Sequence, residues 1–206
     1  MKIFQKSDSP KSDEQLMRKI QKGNTAAFDV LYFRYSQRFL GYFYRMLGGN
    51  EEKAQDFLQD LFVKVIDKSY QFRPGARFST WAYTIAHNMC KNEYRRLNVR
   101  KVLDYDVDPD SVSPISGGEY LQIEKKMDNE RLKELISKAL ENLDENQRST
   151  FILRFQEQLS VKEISDVLGC SEGTTKSRLF YVTKKLAKKF KVYDPQNNEV
   201  ANHAVK

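Results

Sequence analysis

The chain has 206 residues, 40% of them hydrophobic, and its 35 Lys and Arg outnumber 28 Asp and Glu to leave a formal net charge of +7. That apolar content fills one or two ordinary cores and excludes a chain disordered throughout, while the positive balance selects a polyanionic partner. No stretch approaches the roughly 20 apolar residues that cross a bilayer, and the opening MKIFQKSDSP has no long apolar run to serve as a secretion signal. Two cysteines far apart, Cys90 and Cys170, make no disulfide framework. The expectation is a reduced, cytoplasmic protein.

Helical period dominates wherever a period is visible and strand signals are nearly absent, so the expected class is all-α. Apolar and aromatic residues recur at three- and four-residue steps over 29–47, and the aromatics between Phe28 and Tyr44 are assigned to packing. After Gly48-Gly49-Asn50, the segment EEKAQDFLQDLFVKVI sets Ala54, Phe57, Leu58, Leu61, Phe62 and Val65 on one stripe. Asp56, Gln59 and Asp60 fall on or near the opposite, acidic face. Phe72-Arg73-Pro74-Gly75 then stops the helix. The following FSTWAYTIAHNMCKNEYRRL takes Ser79 or Thr80 as its N-cap and runs to about Leu97.

The first module thus spans 13–98, after a tail at 1–12. Residues 99–120, rich in Asp, Pro, Gly and Ser and without period, read as a flexible acidic linker. A second helical module covers 121–192, with a tail at 193–206. The expected architecture is two small helical bundles joined by that linker, the C-terminal one holding a helix-turn-helix.

Between Phe72 and Lys101 the bases Arg73, Arg77, Lys91, Arg95, Arg96, Arg100 and Lys101 face one acid, Glu93, and are interleaved with Phe72, Phe78, Trp81, Tyr83 and Tyr94. Positive charge holds phosphate, and aromatic rings stack on unpaired bases, offsetting the few kcal/mol lost when a base leaves its duplex. Phe72, Arg77, Phe78, Trp81, Asn88, Lys91, Asn92, Arg95 and Arg96 are therefore the candidate contacts to a partly opened duplex. Asn88 and Asn92, one turn apart, suit base edges or phosphate. Tyr83, Ile85 and Ala86 are assigned largely to the core, and Phe78 and Trp81 stand evenly between core and base contact.

In the second module, Ser160 and Glu163 form a capping box, Ile164, Val167 and Leu168 supply a buried face, Gly169 permits a turn, and Ser171 caps the next helix. That helix, 173–191, carries Lys176, Arg178, Lys184, Lys185, Lys188, Lys189 and Lys191 without an acid. Its small, polar start suits entry into a major groove, so Thr174, Thr175, Lys176, Ser177 and Arg178 are the candidate duplex contacts. Leu179, Val182 and Leu186 tie it to the module, and Asp144 caps a scaffold helix over 144–155.

An enzyme needs clustered carboxylates, a nucleophile beside a base, a ligand set or a Gly-rich phosphate loop, and the sequence offers no convincing one. His87 and Cys90 share a helix face, but a zinc site takes four ligands and only distant Cys170 and His203 remain. No catalytic residue, metal, cofactor or small-molecule substrate is expected. The rival reading is a helix-turn-helix activator that binds DNA without polymerase and senses a signal through its amino-terminal half; such a receiver ordinarily alternates strands with helices.

Together KAQDFLQDLFVKV, FSTWAYTIAHNMCKNEYRR and LSVKEISDVLGCSEGTTKSRLF resemble the bacterial sigma-70 family. The spacing resembles its extracytoplasmic-function (ECF) group, which keeps only the second and fourth conserved regions, and the likeness covers about 13–97 and 121–190. It implies a sigma factor that carries core RNA polymerase to promoter DNA, both double- and single-stranded. On that resemblance Asp56, Gln59 and Asp60 contact the clamp helices of the largest polymerase subunit. The segment 72–96 recognises and melts the start-proximal element, 174–178 reads the upstream element, and the acidic linker threads the RNA channel. Many members of the group are held by an anti-sigma factor. Three residues depart from the family pattern: Thr175 stands where an apolar residue is common, Ser165 where alanine is, and Gln55 where glutamate is. The first two imply altered base preference or slight destabilisation.

Overall fold

The computed structural model of the chain describes residues 11–103, 136, 138–140 and 142–190. The expected tails, apart from Lys11 and Ser12, and the linker beyond residue 103 lie outside these residues. The described elements are α1 (Asp13–Ile20), α2 (Thr25–Met46), α3 (Glu51–Asp67), a 3-10 turn (Ser69–Gln71), α4 (Phe78–Leu103), α5 (Glu145–Phe155), α6 (Val161–Leu168) and α7 (Glu172–Phe190). No strand occurs among the described residues, in keeping with the all-α expectation.

Most helices begin where a short polar side chain replaces the missing backbone acceptor. Ser12 and Gln15 close a capping box on α1, and Asn24, Asn50 and Asp144 accept from the backbone three residues on. Helix α4 departs from expectation. It starts at Phe78, ahead of Ser79 and Thr80, because its cap comes from another helix: the Phe78 N–H donates to Glu14 Oε1 (3.3 Å). It also continues past Leu97 to Leu103, so the first residues assigned to the linker are helical.

Helices α1 to α4 bury Leu16, Met17, Leu31, Phe39, Tyr42, Phe43, Leu61, Phe62, Val65, Phe78, Tyr83 and Cys90 in one cluster. Each large apolar side chain so buried contributes about 1.5–3 kcal/mol. The α3 stripe is buried as expected apart from Phe57, which is half-buried with its ring edge-on to Phe43 at 5.5 Å. Phe39 and Tyr83 approach to 4.6 Å and pin α2 to α4.

The two modules do not stand apart. Ile152 and Leu153 of α5, Leu159, and Ile164 and Val167 of α6 belong to the same buried cluster as the first module, and α6 lies against α4. Polar contacts cross the same boundary. Tyr42 Oη and Ser149 Oγ are 3.0 Å apart, and Arg38 Nε donates to Glu157 Oε2 (2.8 Å), whose side chain is 6% exposed. Buried Arg148 donates to the carbonyls of Leu140 (3.0 Å), Leu143 (3.3 Å) and Met46 (3.1 Å) and to the Tyr94 hydroxyl (2.9 Å). A smaller cluster of Ala139, Leu140, Leu143, Val182 and Leu186 holds α7 to the segment before α5.

Candidate nucleic-acid interface

The helix-turn-helix is built as its residues require. Glu163 N–H donates to Ser160 Oγ (3.2 Å) and Ser160 N–H to Glu163 Oε2 (2.8 Å), starting α6. Gly169 ends it at φ +60°, a left-handed conformation that costs a side-chain-bearing residue more than glycine. Ser171 Oγ then accepts from Thr174 N–H (3.1 Å) and starts α7. Leaving that turn, Thr174, Lys176 and Ser177 are exposed and Arg178 is half-buried, its Nη1 3.5 Å from Cys170 Sγ. Lys184, Lys185 and Lys188 continue the exposed positive face.

Thr175 requires a correction. It is fully buried in the turn, its hydroxyl 3.4 Å from Cys170 Sγ, and it packs where an apolar residue would, so it offers nothing to a base edge. Ser165 is similar: 6% exposed, with its Oγ donating to the Lys162 carbonyl at 2.7 Å. Both hydroxyls find local partners, which removes most of the cost of burying them. Gln55 is exposed and reaches only Glu51 (3.4 Å).

On α4, Asn88, Asn92 and Arg95 are exposed at four- and three-residue steps and so share one face, with Arg96 exposed and Lys91 half-buried beside them. Arg96 is partly committed. Its guanidinium grips Glu93 through two bonds (2.7 and 2.8 Å), and with Lys53 it holds that carboxyl down at about 2.

Phe72 and Phe78 also differ from expectation. They are 5% and 0% exposed, Phe78 edge-on to Tyr35 at 5.0 Å and Phe72 edge-on to Trp81 at 5.5 Å. Both are core residues, since a ring that fills a gap between helices gains more from that burial than a basic sequence context reveals. Trp81 is half-buried on these two rings and keeps accessible surface. Arg73 and Arg77 are exposed, and Arg77 is ion-paired with Glu163 of α6.

The sequence reading passed over α1. Its acids turn inward, Asp13 to Arg34 and Tyr35 and Glu14 to the start of α4. Its bases Lys11, Arg18 and Lys22 are exposed at helical spacing. Gln21 Nε2 donates to the carbonyls of Ser69 (2.8 Å) and Phe72 (3.1 Å), which joins this positive stripe to the loop bearing Lys68 and Arg73. The capping box at Ser12 and the spacing of those bases were the available signals.

On the outer side of α3, Asp56, Gln59 and Asp60 are exposed, with Val63 (55% exposed) one turn further on. Among the described residues no three His, Cys, Asp or Glu are grouped to hold a metal ion, and no helix is long and apolar enough to cross a membrane.

His87 is 2% exposed and its Nδ1 lacks a partner. Burial, with Lys91 and Arg178 nearby, lowers its pKa to about 4 from 6.5. Between those values the unfolded chain binds a proton that the folded chain refuses, so stability falls with pH across that window. His87→Leu is expected to flatten urea-denaturation stabilities measured between pH 7 and pH 4. The Glu93 contribution, present above 4.5 and lost as pH falls towards 2, lies below that window.

The family model for sigma-70 region 2 matches residues 31–100, and that for sigma-70 region 4 matches residues 133–186. The RNA polymerase sigma-H factor of Pseudomonas aeruginosa is 31% identical over 180 residues, 85% of this chain and 92% of its own length. The ECF RNA polymerase sigma-E factor of Escherichia coli K12 is 32% identical over 173 residues, 82% of this chain and 89% of its own. The sigma factor RpoE of Bartonella quintana, solved in complex with the anti-sigma factor NepR, superimposes with a TM-score of 0.63 at 26% identity, covering 80% of this chain and 97% of that one. With both conserved regions in order and relatives of this identity along most of its length, the chain belongs to the sigma-70 family of transcription initiation factors, in its ECF group.

Proposed function

We propose that residues 13–98 dock on core RNA polymerase through Asp56, Gln59 and Asp60 of α3 and engage the start-proximal promoter element through the open face of α4. Asn88 and Asn92 contact bases or phosphate, Lys91, Arg95 and Arg96 hold the backbone, Arg77 anchors the strand, and Trp81 is the aromatic left accessible to an unpaired base. The positive stripe of α1 lengthens the same track. Residues 121–192 read the upstream element through Thr174, Lys176, Ser177 and Arg178. The aspartates of 99–120 imitate phosphate charge in the channel that later carries RNA, and a protein of the anti-sigma class is a further partner. The factor performs no chemistry of its own and works in the cytoplasm.

The single observation carrying this reading is the segregation of charge on exposed helix faces: acid on α3, base with amide on α4, base with hydroxyl on α7. A protein and a polyanion then meet different surfaces of one chain. The test is co-elution with core polymerase. The native chain is expected to co-elute, and Asp56→Lys with Asp60→Lys to lose most of that binding, because like charges then face a basic partner. A native chain that does not bind core polymerase rejects the reading. Arg178→Ala in the holoenzyme is expected to weaken upstream-element binding by about 1–3 kcal/mol; an unchanged footprint there removes Arg178 from the contact set.

A further inference from the structure

Two arginines directed at DNA are occupied within the chain itself. Arg77, at the start of α4, is ion-paired with Glu163 of α6, and Arg178, at the start of α7, lies half-buried against Cys170 with His87 of α4 in its field. The face of α4 that carries Ala86, His87 and Cys90 is buried in the cluster that takes in Ile164 and Val167 of α6. Arg38 and Glu157 close the same boundary at 2.8 Å, and Tyr42 with Ser149 closes it at 3.0 Å.

A carboxylate and a phosphate satisfy a guanidinium in the same way, through charge-assisted and often paired hydrogen bonds. Glu163 therefore occupies on Arg77 the place that the proposed function gives to a DNA phosphate. We infer that this face of α4 is a binding surface for the chain's own helix-turn-helix module, and that the module and DNA compete for it. The inference rests on the DNA-facing roles proposed above. Its consequence is quantitative: if about one molecule in ten is open, the free chain binds DNA about tenfold more weakly than the open form does.

Arg38→Glu separates the alternatives, because it breaks the Glu157 pair while lowering the net charge by two, so simple electrostatics predicts weaker DNA binding. In the full-length chain without polymerase, it is expected to enlarge the radius of gyration in X-ray scattering and to raise affinity for a random-sequence DNA duplex about tenfold. Adding Glu157→Arg restores the pair with reversed polarity and is expected to restore both compactness and weak binding. Tyr42→Phe, which keeps the buried ring and deletes only the hydroxyl contact to Ser149, moves both readouts the same way by less, and it carries the test should Arg38→Glu fail to fold. A folded open variant with unchanged or weaker DNA affinity, or no opening in either single variant, overturns the inference. If the holoenzyme still protects promoter DNA in that case, only the competition fails; if it protects none, the proposed contacts fail with it.

Discussion

Replacing Arg148 by methionine is expected to lower unfolding stability by about 3–5 kcal/mol. The guanidinium is 8% exposed and donates to the carbonyls of Leu140, Leu143 and Met46 and to the Tyr94 hydroxyl, thereby fastening α5, the end of α2 and α4 to one another. A buried acceptor left without its donor costs about 1–3 kcal/mol, and several are orphaned together, although partial entry of water offsets some of the loss. Arg148→Lys restores the charge without the planar fork, so it is expected to recover only part of the difference. Urea denaturation measures both. A loss below about 1 kcal/mol for Arg148→Met contradicts the assignment.

Phe78→Ala is expected to cost a similar amount, about 3–5 kcal/mol, because the ring is wholly buried against Tyr35 and Trp81 and its removal leaves a cavity at the junction of α1, α2 and α4. This separates a core role from a base-stacking one. A stacking residue leaves stability nearly unchanged and loses strand opening. Trp81→Ala is the matched contrast, with a smaller loss of stability and a marked loss of permanganate reactivity in unpaired thymines near the start site. A stable Phe78→Ala protein defective only in opening reverses the assignment.

These two residues also show where the sequence was legible. Arg148 carries no local sign of its role: its partners lie in three segments, and the Met46 carbonyl is 102 residues away. Phe78, set among bases and aromatics, reads the same whether its ring faces DNA or helices, and only packing decides. Local features were read correctly because their physics is local. Ser160 with Glu163, Gly169 and Ser171 form the turn within a dozen residues, and the α3 stripe follows from helical period alone. The start of α4 was misplaced because its cap, Glu14, comes from 64 residues upstream. Thr175 was given to DNA because a hydroxyl at the start of a recognition helix suits a base, yet that position faces the turn. The join between modules, marked by Arg38 and Glu157 at a separation of 119 residues, leaves no period or spacing to read.

The most direct test of the account is transcription in vitro from genomic DNA fragments by core RNA polymerase, with and without this chain. The account predicts that the chain directs initiation to a discrete set of start sites, each with unpaired thymines reactive to permanganate, and that Asp56→Lys with Asp60→Lys abolishes them. Identical start sites with and without the native chain contradict it.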